Sequence, residues 1–247
     1  MGWDNPRIPW RELKNKMTWG SQAAPADQDA GDPVGPAPRR RQEIWVELHC
    51  HSSYSFLDGA SSPAELAEEA SRLGLSALAI TDHDGMYGVP QFAQAAAKVE
   101  LKTVFGAELT LDLPKGTDKN PDPGGRHLLV LARDPDGYRR LCAAISTAQL
   151  AGGEKGRPVY DIDELASRHD GHWVILTGCR KGHVPAALAA GGQEKAQEEL
   201  TRLKDMFGQR NVMVELNCHN LPGDDERNDA LGALAAEIGR ASCRERV

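Results

Sequence analysis

The chain predicts an α/β fold on a largely parallel sheet, either a barrel or a doubly wound sheet. Three observations carry that expectation. Six short apolar runs recur between residues 44 and 216, stretches with helical period separate most of them, and ionisable side chains gather at several of their ends. Such clusters at the C-terminal ends of strands are where barrels and open α/β sheets build sites.

Taken in order, residues 44–51 predict a strand. A helix then opens at Ser62-Pro63-Ala64-Glu65, with Ser62 as N-cap, Pro63 at the first helical position and Glu65 completing a capping box. It ends near Gly74, a good residue just past a helix C-terminus. A strand over 75–80, a helix over 90–98 and a strand over 101–109 follow. The loop 114–126, rich in Gly, Pro and Asp, is expected to be a flexible excursion. Beyond it come a strand over 127–131, a helix over 138–150, a strand over 173–177, helices across 184–207, a strand over 212–216 and a helix over 225–237.

Composition bounds the domain. Residues 1–42 carry Trp3, Trp10 and Trp19, then a Pro/Gly/Ala/Asp stretch with almost no large apolar side chain. Such a stretch buries too little surface to offset its ordering entropy and is expected to be an extension and disordered linker. Residues 43–237 form the folded domain. Residues 238–247 break the apolar period of the preceding helix, read like a translated sequencing adapter, and are left out of the fold. The natural protein is then expected to continue past Glu237. The net charge of −7 excludes a surface wholly devoted to nucleic acid, and no run of 18 apolar residues suggests a membrane span. Five widely spaced cysteines without an export signal fit reduced thiols in a cytoplasmic protein.

Candidate site residues fall at the strand ends. His49 and His51 project from one face of the first strand and can converge on one ion, while Cys50 faces the core. Asp82 and His83 follow the second strand; Asp82 is placed to orient a ligand histidine. Glu108 lies inside an apolar run and needs a neutralising partner, a metal or an arginine. His127 precedes its strand, so the strand-end argument does not reach it. Cys179 follows the strand over 173–177 as a soft donor suited to zinc, and Arg180 beside it is a candidate phosphate contact. Asp58 serves either as a bridging ligand or as a turn residue. Mixed His, carboxylate and Cys donors suit zinc, with manganese or iron as alternatives.

Five stretches in this order, HCHSSYSFLDGAS, ALAITDHDGMYGV, VFGAELTL, HLLVLARDPDGYRRL and TGCRKG, resemble the successive motifs of the PHP superfamily (polymerase and histidinol phosphatase), in the version found on bacterial C-family DNA polymerases. The opening Met1-Gly2-Trp3 and the stretch VELNCHNLPGDDERND resemble the error-prone, damage-inducible branch. The resemblance covers residues 43–237 and implies a PHP-type distorted (β/α)7 barrel, truncated here before its last strand. It implies up to three divalent metals (zinc, manganese or iron) on His49, His51, Asp58, His83, Glu108, His127 and Cys179. It also implies a last Asp and His from a seventh strand that this sequence lacks. The implied parent is an error-prone DNA polymerase with magnesium in its polymerase domain. Primer-template DNA, dNTPs, a sliding clamp and translesion accessory proteins are the implied partners, with no membrane. For this domain the resemblance leaves three roles open: a 3′→5′ exonuclease or phosphoesterase within that polymerase, a free-standing histidinol-phosphatase-like enzyme, or a non-catalytic metal-stabilised scaffold.

Overall fold

The computed structural model describes residues 45–113, 124–154, 156–238 and 241–244. The extension over residues 1–42 and most of the 114–126 excursion lie outside the described residues. The elements run β1 (Val46–Glu47), α1 (Pro63–Arg72), β2 (Ala77–Ile80), α2 (Val89–Lys98), β3 (Lys102–Leu111), β4 (Arg126–Ala132), α3 (Pro135–Gly152), α4 (Ile162–His169), β5 (Trp173–Leu176), α5 (His183–Phe207), β6 (Val212–Asn217), α6 (Asp224–Ile238) and β7 (Ala241–Arg244).

Several elements form for the reasons the sequence supplies. At the start of α1 both halves of the capping box are present: Glu65 N donates to Ser62 Oγ at 3.3 Å, and Ser62 N donates to Glu65 Oε2 at 2.7 Å. Asp134 caps α3 through Gly137 N at 2.8 Å, and the left-handed Gly153 ends it. The first strand is shorter than expected, because Cys50 N turns to the Thr81 hydroxyl at 3.0 Å instead of a backbone carbonyl. Helix α4, not foreseen, is an eight-residue element capped by Asp161, which accepts from Asp163 N and Glu164 N. Gly192, at φ 73°, kinks α5 into two segments.

The strands form one curled sheet in sequence order, β1 through β7. The expectation of a largely parallel sheet needs a correction at β4, which runs antiparallel to both β3 and β5 while the other neighbours are parallel. The physical cause is the connection. Parallel neighbours need a crossover, usually a helix, and no helical period lies between Leu111 and Arg126. Beyond α6, residues left out of the sequence-based fold supply β7, which pairs with the outer edge of β6. The unpaired backbone groups of an edge strand accept such an addition readily.

Side chains alternate between two apolar layers. Leu128 and Val130 join Leu141, Leu200, Leu203, Trp173 and Val212 under the helices, while Leu129 and Leu131 meet Ala79 and Leu176 on the inner face of the curl. A smaller cluster around Phe92, Leu78 and Ile80 seats α1 and α2, and Cys50 packs against it as expected. Both faces of the sheet are therefore filled, and the strand ends on one rim are left to carry polar groups.

Candidate metal centre

One rim of the sheet holds seven donor side chains. Glu108 is their hub. It lies near the end of β3, 1% exposed, and bridges to His83 across the strand ends. Its Oε2 lies 3.1 Å from His51 Nε2, 3.5 Å from His49 Nε2 and 3.5 Å from His83 Nδ1. Its Oε1 lies 2.9 Å from His127 Nδ1 and 3.6 Å from Cys179 Sγ. Burial alone would raise the Glu108 pKa, but the surrounding imidazoles, His49 first, hold it well below the ordinary glutamate value.

The histidines are themselves positioned. His49 Nδ1 sits 2.7 Å from Glu215 Oε1, so that nitrogen carries its proton toward the carboxylate and Nε2 points to His51 Nε2, 3.0 Å away. Burial would lower the His49 pKa, yet Glu215 and Glu108 together push it up to about 10. His51 Nδ1 bonds Asp58 Oδ2, and the same oxygen lies 3.3 Å from His83 Nε2. Asp58 is half-exposed, so it stands at the mouth of the cluster. Its two histidine hydrogen bonds hold its carboxyl far below the ordinary aspartate value.

His127 reaches this rim because of the reversed strand. In register it faces Thr110, near the C-terminal end of β3, so the start of an antiparallel β4 lands where the parallel strands end. A second bridge to Gly182 and the bond from His127 N to Lys181 O at 3.0 Å tie it to the loop after β5. That loop carries Cys179, 3.6 Å from His127 Nδ1. A Cβ on Gly182 would fall on the Thr177 carbonyl oxygen, so the tight return of this loop requires glycine. Burial, then the Glu108 charge, push the Cys179 thiol up; a dication bound there would reverse that, because a ligating thiol loses its proton.

Three overlapping triads have donor atoms mutually within 4.8 Å: His49 with His51 and Glu108, His51 with Asp58 and His83, and His83 with Glu108 and His127. The donor set fits metal on chemical grounds. Imidazoles, carboxylates and one thiol, concentrated around the buried Glu108, match borderline-soft divalent ions.

Two findings differ from the sequence reading. Asp82 does not touch a histidine; its carboxylate accepts from Ser52 N at 2.7 Å, Ser52 Oγ at 2.8 Å and Ser55 Oγ at 2.7 Å. It thereby pins the loop that presents Asp58, and Ser55 Oγ in turn accepts from His83 N at 3.1 Å. Glu215 was missed, although it gives the same signal as Glu108, a glutamate inside an apolar strand, here β6. Arg180 is exposed on the loop beside Cys179.

Residues 47–219 match the family model described as PHP domain. Relatives named error-prone DNA polymerase include one from Mycobacterium bovis, 50% identical over 97% of this chain. Another, from Cutibacterium acnes, is 49% identical over 96% of it. The chain spans about 23% of the length of the first and 22% of the second. A crystal structure of a candidate metal-dependent phosphoesterase from Bifidobacterium adolescentis superposes with a TM-score of 0.54 at 17% identity. That match covers 82% of this chain and 86% of the other, and it supports the distorted-barrel fold.

Proposed function

The chain belongs to the PHP domain family, and on that premise we propose that it binds divalent metals on the Glu108 rim and hydrolyses phosphoesters there. The single observation that carries this is Glu108, a buried carboxylate whose two oxygens are shared among His49, His51, His83, His127 and Cys179. Overlapping triads, two on Glu108 and one on Asp58, support a reading of more than one ion and as many as three, of zinc, manganese or iron.

When bound, such ions activate a water and stabilise the leaving oxygen of a phosphate ester. The chain's own residues do the rest. Glu215 fixes the His49 ring with Nε2 inward. Asp82, through Ser52 and Ser55, holds the turn that swings Asp58 to the mouth. Arg180, exposed on the loop beside Cys179, is the candidate to receive a phosphate oxygen, a role its planar fork suits.

The whole protein is proposed to be an error-prone DNA polymerase, a reading supported by relatives of that name across nearly all of this chain. Polymerisation, with its magnesium, dNTPs and primer-template, would belong to parts of the protein beyond this domain. A sliding clamp and translesion accessory proteins are the partners this reading expects, in the cytoplasm. No described helix is long and apolar enough to cross a membrane.

The experiment is hydrolysis of bis-p-nitrophenyl phosphate by the manganese-loaded full-length gene product, wild type against His49→Ala/His51→Ala. Loss of turnover in the double variant, with DNA synthesis retained, supports the hydrolytic reading. Bound metal without any hydrolysis in the wild type would instead make the rim a stabilising scaffold.

A further inference from the structure

A cavity of about 220 Å³ lies between the open end of the β3–β4 pair and α5, lined by Asp112, Arg126, His183, Glu199 and Arg202. It sits across the sheet from the metal rim. Arg126 and His127 are successive residues of β4 and so face opposite sides, and Leu111, which also lines the cavity, belongs to the outer apolar layer. At that volume the cavity is smaller than the roughly 300–1,000 Å³ of an ordinary organic-ligand pocket.

His183 is the unusual member. It is 3% exposed, and its Nδ1 lies 2.9 Å from Glu199 Oε1. Its Nε2 is buried and has no hydrogen-bond partner among the described residues, a costly state for a polar atom. The Glu199 carboxylate fixes the tautomer: Nδ1 keeps the proton and Nε2 offers a lone pair. Burial lowers the His183 pKa against the pull of Glu199, so the ring is neutral at neutral pH.

Positive charge surrounds that nitrogen. Arg126 and Arg202 both act electrostatically on the His183 ring, and Arg202 Nη1 donates to the same Glu199 Oε1 at 2.9 Å. His183 opens α5, whose N-cap is Gly182, so the positive end of the helix falls on this side. The guanidiniums and the helix end select an oxyanion. The bare Nε2 and the Asp112 carboxylate disfavour one that carries no proton.

We propose that this cavity binds hydrogen phosphate, with Arg126 and Arg202 donating to its oxygens and His183 Nε2 accepting its remaining proton. At neutral pH inorganic phosphate keeps that proton, sulfate has none, and a phosphate ester has largely lost its last. Ile162 and Leu111 form an apolar wall, which strengthens the charged contacts by lowering the local dielectric. The inference is independent of the phosphoesterase reading, whose substrate would bind on the other side of the sheet.

The test is equilibrium dialysis of the full-length gene product against radiolabelled inorganic phosphate. Wild type is compared with Arg126→Gln/Arg202→Gln, with Glu108→Gln and with chelator-stripped wild type. Both arginines are exposed, so the fold should survive their loss, and Arg126→Gln alone gives the same readout. Wild type, Glu108→Gln and stripped protein should share a phosphate site that the arginine variant weakens roughly tenfold or more, as loss of charge-assisted hydrogen bonds implies. Unlabelled phosphate should displace the label from that site and sulfate should not. Binding that survives in the arginine variant but disappears with Glu108→Gln or chelation would put the ion at the metal rim and overturn the assignment. A wild type that takes up no phosphate at millimolar concentration, or displacement by sulfate as effective as by phosphate, would overturn it too.

Discussion

Glu215 is one hydrogen bond from the metal rim and never needs to touch an ion to matter. Its Oε1 fixes the His49 ring at 2.7 Å, and partners that orient a ligand histidine typically control metal affinity by about 10–100-fold. Glu215→Gln keeps the shape but removes the charge, so metal affinity should fall within that range while the fold persists. Equilibrium competition with a zinc chelator measures it, and unchanged affinity would show that His49 is oriented by packing alone. At this scale the sequence singles out His49, His83, Glu108 and Cys179 because each sits where apolar periodicity stops or is interrupted, whereas Asp58 and His127 entered the set only through the family resemblance. Glu215 carried the same signal inside Val212–Asn217 but had no neighbouring motif to draw attention to it. Asp82 reaches His83 through the Ser55 hydroxyl rather than directly, because its partners are serines in a loop whose path strand periodicity does not specify.

Elements were legible where caps and periodicity agree. The Ser62 box opens α1 as expected, and Ser62→Ala should cost about 1 kcal/mol by thermal or denaturant unfolding. An unaltered midpoint would mean that Pro63 alone sets the start of the helix. The direction of β4 was not legible from its own residues, since an apolar run reads the same either way along a sheet. The cue was the lack of a helical period in the sequence before it, and His127 gains its place on the rim from that reversal. Gly106 sits close against the partner strand: a Cβ there would lie 2.5 Å from the Val130 carbonyl oxygen and 2.7 Å from Leu131 Cδ2. Gly106→Ala should therefore push β3 and β4 apart and weaken metal binding as well as stability, because Glu108 and His127 ride on those two strands. A variant that loses stability but keeps full metal affinity would show that the rim is held independently of that contact.

Across the whole molecule, two apolar layers clamp a curled sheet whose one polar rim collects its unusual charges. Trp173 illustrates the load on the outer layer: it is fully buried, and its indole N–H donates to the Gly137 carbonyl at 2.8 Å. Trp173→Ala should cost roughly 3–5 kcal/mol, read from denaturant midpoints at constant slope. The concentration of histidines and carboxylates at the opposite extreme is the feature that apolar packing does not explain, and the central claim is that metal explains it. The most direct measurement is the metal content of the full-length gene product by mass spectrometry after gel filtration, wild type against Glu108→Gln. The account predicts roughly two or three zinc, manganese or iron ions per wild-type chain and a large loss in the variant. A wild-type protein that stays metal-free after incubation with all three would contradict it.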